Sequence, residues 1–222
     1  MLPEIIQRTG EHLLLVIVAM LIAIVIGIPL GIIITKKKNL AKSILALANA
    51  IQTIPSLAIF GFLLSIPLIG GIGKIPAIIA LTLYALLPLI RNTYVGITNI
   101  NPAIKEAGIA MGMTQWQLLT KVDIPLALPI IIAGIRVSTV ISVGLATIAA
   151  AIGGGGLGVF IFRGIATVDN QLILMGAIPA ALIALLIDAS LNFFEKKLTN
   201  FERTNKFGKK SFWQLIAFGL IL

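Results

Sequence analysis

Residues 13–35 read LLLVIVAMLIAIVIGIPLGIIIT and carry no charged side chain. About 20 predominantly apolar residues in helical form cross the hydrocarbon core of a bilayer, so this stretch predicts a first transmembrane span. Lys36, Lys37, Lys38 and Lys42 follow at once. Residues 43–73 are again uncharged and exceed one span; with Pro55, Pro67 and the run Gly70-Gly71-Ile72-Gly73 they predict a helix to about Ile66 and then a tight loop. Residues 76–97, 124–152 and 172–194 predict the third, fourth and fifth spans.

Hydrophobic residues make up 59% of the chain and charged residues only 11%, where a soluble domain carries about 25% charged. The fold class is therefore an all-α integral membrane protein with about five transmembrane helices. Transmembrane strands would alternate apolar and polar residues, and these runs do not. Helices satisfy their own backbone hydrogen bonds in lipid. The start of the chain, with Pro3 and Glu4 and no basic residue before them, does not resemble a cleavable signal peptide. With no cysteine, the chain has neither disulfides nor thiolate metal sites. The net charge of +9 does not point to nucleic acid, because the basic residues sit in short runs beside apolar segments.

That placement orients the chain. Lys36 to Lys42, Lys105, Lys121, Lys196, Lys197, Arg203, Lys206, Lys209 and Lys210 are expected on the cytoplasmic side, and Arg8, Lys74 and Arg163 outside. Residues 1–11 then form an external N-terminal segment and 12–198 the membrane domain, with a cytoplasmic loop at 101–125. Residues 199–222 are a basic tail. Its apolar end, 212–222, is too short to cross. It reads either as an interfacial helix with Trp213 at the membrane surface or as a truncated sixth span leading to an external domain.

The loop has structure of its own. Asn101-Pro102 is a helix start, Asn capping free amides and Pro suiting the first turn. A short helix over 103–111 ends at Gly112, which tolerates positive φ. Thr114-Gln115-Trp116-Gln117 has the form of a capping box opening a second helix, which Pro125 ends. Ala107, Gly108 and Ala110 are small enough for a partner groove to approach the backbone, and Glu106 offers one charge to a partner cation. Without further context such a pair is an ordinary amphipathic connector.

Arg136 and Asp188 are ionisable residues inside the fourth and fifth spans, where charge is expensive and usually faces protein or water. Either they pair across the two helices, or Arg136 snorkels to the headgroups while Asp188 sits at the interface. The run Gly153-Gly154-Gly155-Gly156-Leu157-Gly158 resembles a phosphate-cradling loop but lacks the following Lys-Ser/Thr. It reads as an external turn near the gate. Gly27, Pro29 and Gly31 shape the first span. His12 is the single histidine, and no HExxH, GxSxG or paired intramembrane Asp is present, which argues against an intramembrane hydrolase. No Walker motif is present either, so the chain is not itself an ATPase.

The spacing from Glu106 to Pro125 resembles the coupling motif of permease subunits of ATP-binding-cassette importers, the binding-protein-dependent transport inner-membrane component family. The motif runs Glu-Ala-Ala, three residues, Gly, nine residues, Ile-x-Leu-Pro. Ala107, Gly112 and Pro125 match it, and Gly108, Val122 and Ile124 depart conservatively. Gln52-Thr53-Ile54-Pro55-Ser56-Leu57-Ala58, Leu83-Tyr84-Ala85-Leu86-Leu87-Pro88, Arg91-Asn92-Thr93-Tyr94, Gly134-Ile135-Arg136 and the run from Gly153 to Gly158 resemble its osmoprotectant branch, which imports glycine betaine, carnitine, choline and related amines.

The resemblance implies the type I ABC importer fold in a bacterial plasma membrane, with lipid around it. Two permeases, a second copy or a paralogue, would pair with two ABC ATPase subunits that bind ATP and Mg, leaving this chain without a cofactor. A separate or fused external binding protein would deliver substrate. Glu106, Ala107, Gly108, Gly112 and Pro125 would couple to the ATPase. Phe60, Phe62, Tyr84, Tyr94, Phe160 and Phe162 are available for an aromatic cage around a quaternary amine. Packing explains most of them as well, and no substrate residue is nominated. Two alternatives stay open: an ABC permease for a solute of the ergothioneine or methionine type, and an ATP-independent channel or secondary transporter. The latter is expected to carry inverted repeats or midplane carboxylates.

Overall fold

A computed structural model describes residues 2–66 and 71–204. Its elements follow in chain order as α1 (Leu2–Ile34), α2 (Lys38–Thr53), α3 (Ser56–Leu64), α4 (Lys74–Thr98), α5 (Pro102–Ala110), α6 (Gln115–Leu118), a π-helical turn (Leu119–Asp123), α7 (Ile124–Ile148), a 3-10 turn (Ala149–Ile152), α8 (Gly158–Thr167) and α9 (Asn170–Thr204). Among the described residues four helices are long and apolar enough to cross a membrane, and the bent pair α2–α3 brings the number to five if it counts as one span. Helix α1 begins at Leu2, so residues 2–11 continue the first span by about three turns beyond its apolar run.

Helix α4 is the axis of the bundle, packed by both α1 and α7, which also touch each other; α9 packs on α7, and α8 on α9. Close approach is set by small residues. Gly27 and Gly31 lie four apart on one face of α1, and a Cβ on Gly31 would fall 2.5 Å from the Cβ of Thr93 in α4. Gly96 meets Ala127 and Gly134 meets Asn92 in the same way between α4 and α7. Buried hydroxyls add interhelical hydrogen bonds: Thr82 Oγ1 donates to Ala19 O at 3.3 Å and Ser138 Oγ donates to Ala85 O at 2.8 Å. Around them Leu15, Val16, Phe60, Leu81, Leu89 and Val143 form the main core.

The second span is not the straight helix to Ile66 that its composition predicts. It breaks at Pro55, and α2 and α3 meet at 95°. Proline has no N–H to give and pushes the preceding residue out of the helical region; Ile54 accordingly has ψ 130°. Tyr84 of α4 covers the break, its hydroxyl donating to Ile54 O, while Gln52 Nε2 donates to Tyr84 O at 2.9 Å.

Two other expectations change. Pro125 does not end the second short helix. The chain from Gln115 to Ile152 runs on as one helical stretch, and the π-helical turn Leu119–Asp123, with Ile124 N donating to Leu119 O, leads straight into Pro125 at the start of α7. The run after Ile152 also holds more than a turn. Gly153, Gly155 and Gly156 take φ of 76°, 83° and 78°, values suited to glycine, and α8 follows directly. Glu11 Oε2 in α1 anchors this loop, accepting from Gly156 N at 3.1 Å and from Arg8 Nη1 at 2.9 Å. The apolar run 212–222, with Trp213, and Lys206, Lys209 and Lys210 lie outside the described residues, as do Pro67 and Gly70 of the expected tight loop.

Candidate functional site

The 101–125 loop is built from local rules. Asn101 Oδ1 accepts from Ala103 N at 3.0 Å, and Pro102 opens α5. Gly112 bends the chain with φ of 78°. The capping box is complete: Thr114 Oγ1 accepts from Gln117 N at 3.3 Å, and Gln117 Oε1 accepts from Thr114 N at 2.9 Å.

The small residues divide between two jobs. Ala107 and Ala110 are exposed, whereas Gly108 is buried. A Cβ there would meet Leu118 Cδ1 at 2.8 Å, so Gly108 packs α5 on α6 instead of opening the backbone to a partner. Pro125, half-buried at the start of α7, stands apart from the exposed face. Glu106 is exposed and makes no ion pair among the described residues. Beside it in the loop lie Ile104, Ile109, Met111 and Trp116, the last two 72% and 71% exposed. The sequence does not show which apolar residues of the loop face outward; the fold leaves these four exposed. Large exposed apolar groups of this kind mark a candidate interaction site.

A second polar constellation lies between α7 and α9. Arg136 Nε donates to Asp188 Oδ1 at 2.6 Å and Nη2 to Asp188 Oδ2 at 3.0 Å. Its Nη1 donates to Asn192 Oδ1 at 3.2 Å and to Glu195 Oε2 at 3.3 Å. The structure thus brings the two intramembrane charges together and adds two partners. Asp188, Asn192 and Glu195 follow helical spacing and share one face of α9, a signal present in the sequence but outweighed by the hydropathy boundary. A crevice of about 390 Å³ opens beside Arg136, Val140, Asp188 and Glu195. The aromatic candidates are not gathered: Phe60 and Phe160 are core residues, Phe62 is exposed, and the Tyr84 hydroxyl is committed to Ile54.

Residues 27–200 match the family described as the inner membrane component of binding-protein-dependent transport systems. The chain belongs to that family. Among curated relatives, the glycine betaine/carnitine/choline transport system permease protein OpuCB of Bacillus subtilis is 45% identical over 88% of this chain and 89% of its own. The choline transport system permease protein OpuBB of the same organism is 44% identical over 88% of this chain and 89% of its own. The osmoprotectant import permease protein OsmW of Salmonella typhimurium is 44% identical over 86% of this chain and 90% of its own. Among solved structures, an inward-facing MetNI methionine ABC transporter superposes with a TM-score of 0.81 at 23% identity, covering 89% of this chain and 97% of that one. The fold is therefore that of an ABC permease. Members of the binding-protein-dependent family are multi-pass inner-membrane subunits that work with an ATPase and a binding protein, and they carry no catalytic centre or cofactor of their own.

Proposed function

We propose that this permease forms half of the conduit of an importer for quaternary ammonium osmoprotectants of the glycine betaine, carnitine or choline type. The observation that carries this reading is the 45% identity, over 88% of the chain, to a permease named for those three solutes. The likeness to the methionine transporter, at 23% identity, bears on the fold alone.

In this reading the bundle sits with its N-terminus outside and the 101–125 loop in the cytosol. The loop seats in a groove of the ABC ATPase. Glu106, Ala107 and the exposed Ile109, Met111 and Trp116 make the contact. Gly108, Gly112 and Pro125 hold its shape. The second permease is a paralogue rather than an identical copy, because OpuCB and OpuCD of Bacillus subtilis carry one system name and match this chain at 45% and 44%.

Uptake tests the solute class. A strain lacking its own osmoprotectant importers receives this chain with its neighbouring transport genes, and radiolabelled glycine betaine, carnitine, choline, ergothioneine and methionine are offered at high osmolarity. Uptake of one of the first three, lost on deleting this chain, is the expected result. Uptake of methionine or ergothioneine alone overturns the solute class, and uptake that survives loss of the ATPase overturns the importer reading.

A further inference from the structure

Lys105 is the residue before the motif glutamate, and Asp123 stands at the variable position before its closing proline. Neither is accounted for by docking, since both side chains turn inward. Lys105 Nζ donates to Ile97 O at 3.0 Å and lies 3.3 Å from Asp123 Oδ1. The Asp123 side chain is only 12% exposed.

Each partner belongs to a different element. Ile97 is in the last turn of α4, where carbonyls lack intrahelical donors and the helix dipole favours a cation. Lys105 is in α5. Asp123 closes the π-helical turn that joins α6 to α7. One ammonium therefore holds together the element that enters the loop, the first loop helix and the element that leaves it. Elsewhere the links are short: residues 99–101 separate α4 from α5, and residues 111–114, with Gly112 at positive φ, separate α5 from α6. Displacement of α5 would be absorbed at those two points if the three elements were not tied.

We infer that Lys105 and Asp123 are positioning residues that make the loop and the inner ends of α4 and α7 one rigid body, so that movement of the ATPase reaches the membrane helices. The ion pair, a 3.3 Å contact whose lysine side chain is 28% and aspartate side chain 12% exposed, lies at the π turn, a wide turn frequent at functional sites. It acts through α7 and touches neither nucleotide nor solute. This role rests on the reading of the loop as the ATPase-docking element.

The test uses the assembled transporter in proteoliposomes and measures ATP hydrolysed per solute imported. Lys105→Met and Asp123→Asn are expected to keep the ATPase bound and hydrolysing while import falls, so the ratio rises several-fold. Lys105→Arg, which keeps a cation within reach, is expected to hold the ratio near that of the parent. An unchanged ratio in both neutral variants overturns the joint. If a neutral variant fails to assemble, spin labels at Ala103→Cys and Leu126→Cys in the otherwise native complex decide. One narrow distance distribution, the same without nucleotide and in the vanadate-trapped state, supports the rigid body. A distance that changes between the states overturns it. Loss of ATPase binding in Trp116→Glu with an unchanged ratio in Lys105→Met would spare the docking reading and remove the joint. Intact ATPase binding in Trp116→Glu would instead remove the docking reading.

Discussion

Arg136 in α7 and Asp188 in α9 form a two-pronged ion pair, with both carboxylate oxygens on one guanidinium at 2.6 and 3.0 Å. Planar, forked geometry of this kind suits arginine and not lysine. Both residues lie within spans, so an unpaired member would be held in a poorly solvating medium. Arg136→Ala and Asp188→Ala are each expected to lower uptake, and Arg136→Lys to recover only part. The exchange Arg136→Asp with Asp188→Arg should restore more uptake than either single change. Failure of the exchange, with normal membrane levels, would show that the pair is not what matters.

Gly112 takes a left-handed backbone that side chains with a Cβ disfavour. Gly112→Ala should destabilise the loop by about 1–2 kcal/mol, and Gly112→Asn by less, because Asn visits this region more readily. Protease sensitivity between α5 and α6, in detergent, reads the difference. Thr114→Ala removes one half of the capping box, with an expected loss of about 1 kcal/mol.

Gly31→Ala places a methyl 2.5 Å from the Thr93 Cβ and 3.0 Å from Ile90 O. The methyl can be relieved only by moving α1 from α4, at about 1–3 kcal/mol. Gly10→Ala, with nothing within 4 Å, should be neutral or stabilise by about 0.5–1 kcal/mol through helix propensity. Melting temperatures of the purified permease should therefore move in opposite directions. A Gly31→Ala protein as stable as its parent would mean that the α1–α4 contact is looser than described.

Tyr84→Phe leaves Ile54 O at the helix break without its donor. Ile54 is itself 42% exposed, so water can replace the lost donor and the expected cost is only about 0.5–1 kcal/mol. Gln52→Ala removes the donor to the carbonyl of buried Tyr84, which has no helical donor because the residue four on is Pro88, and should cost more, about 1–3 kcal/mol. The same melting measurement ranks the two, and the reverse order would assign the break to Tyr84 rather than Gln52.

The exposed pair Met111 and Trp116 gives a docking prediction. Trp116→Glu and Met111→Glu should each cut co-purification of the ATPase without altering the melting temperature of the permease. Gly108→Val should cut co-purification and also lower the melting temperature, because its side chain is forced against Leu118.

The legible features were those with a local physical cause. Uncharged runs such as 13–35 disclosed the spans, and Asn101-Pro102 and Thr114 with Gln117 disclosed both helix starts. Arg136 and Asp188 stood out because charge is rare in apolar helices. Features set by three-dimensional meeting were not visible. Lys105 counted only as a charge that orients the chain, since nothing local says it reaches Asp123, eighteen residues on by sequence number. The π turn at Leu119–Asp123 has no sequence signature. Pro55 was noted, but a proline within an apolar run is equally consistent with a kinked span; the 95° break follows from Tyr84 and Gln52 being there to stabilise it. Gly108 looked like an opening for a partner until Leu118 was seen against it.

The continuous stretch from Gln115 to Ile152 counts 38 residues, about 57 Å at 1.5 Å per residue. It begins in the loop and finishes at the tetraglycine run, and Arg136 grips it near its middle. If the importer reading holds, a stretch of that length would carry a push on the loop to the far end of the bundle, where the glycine run begins.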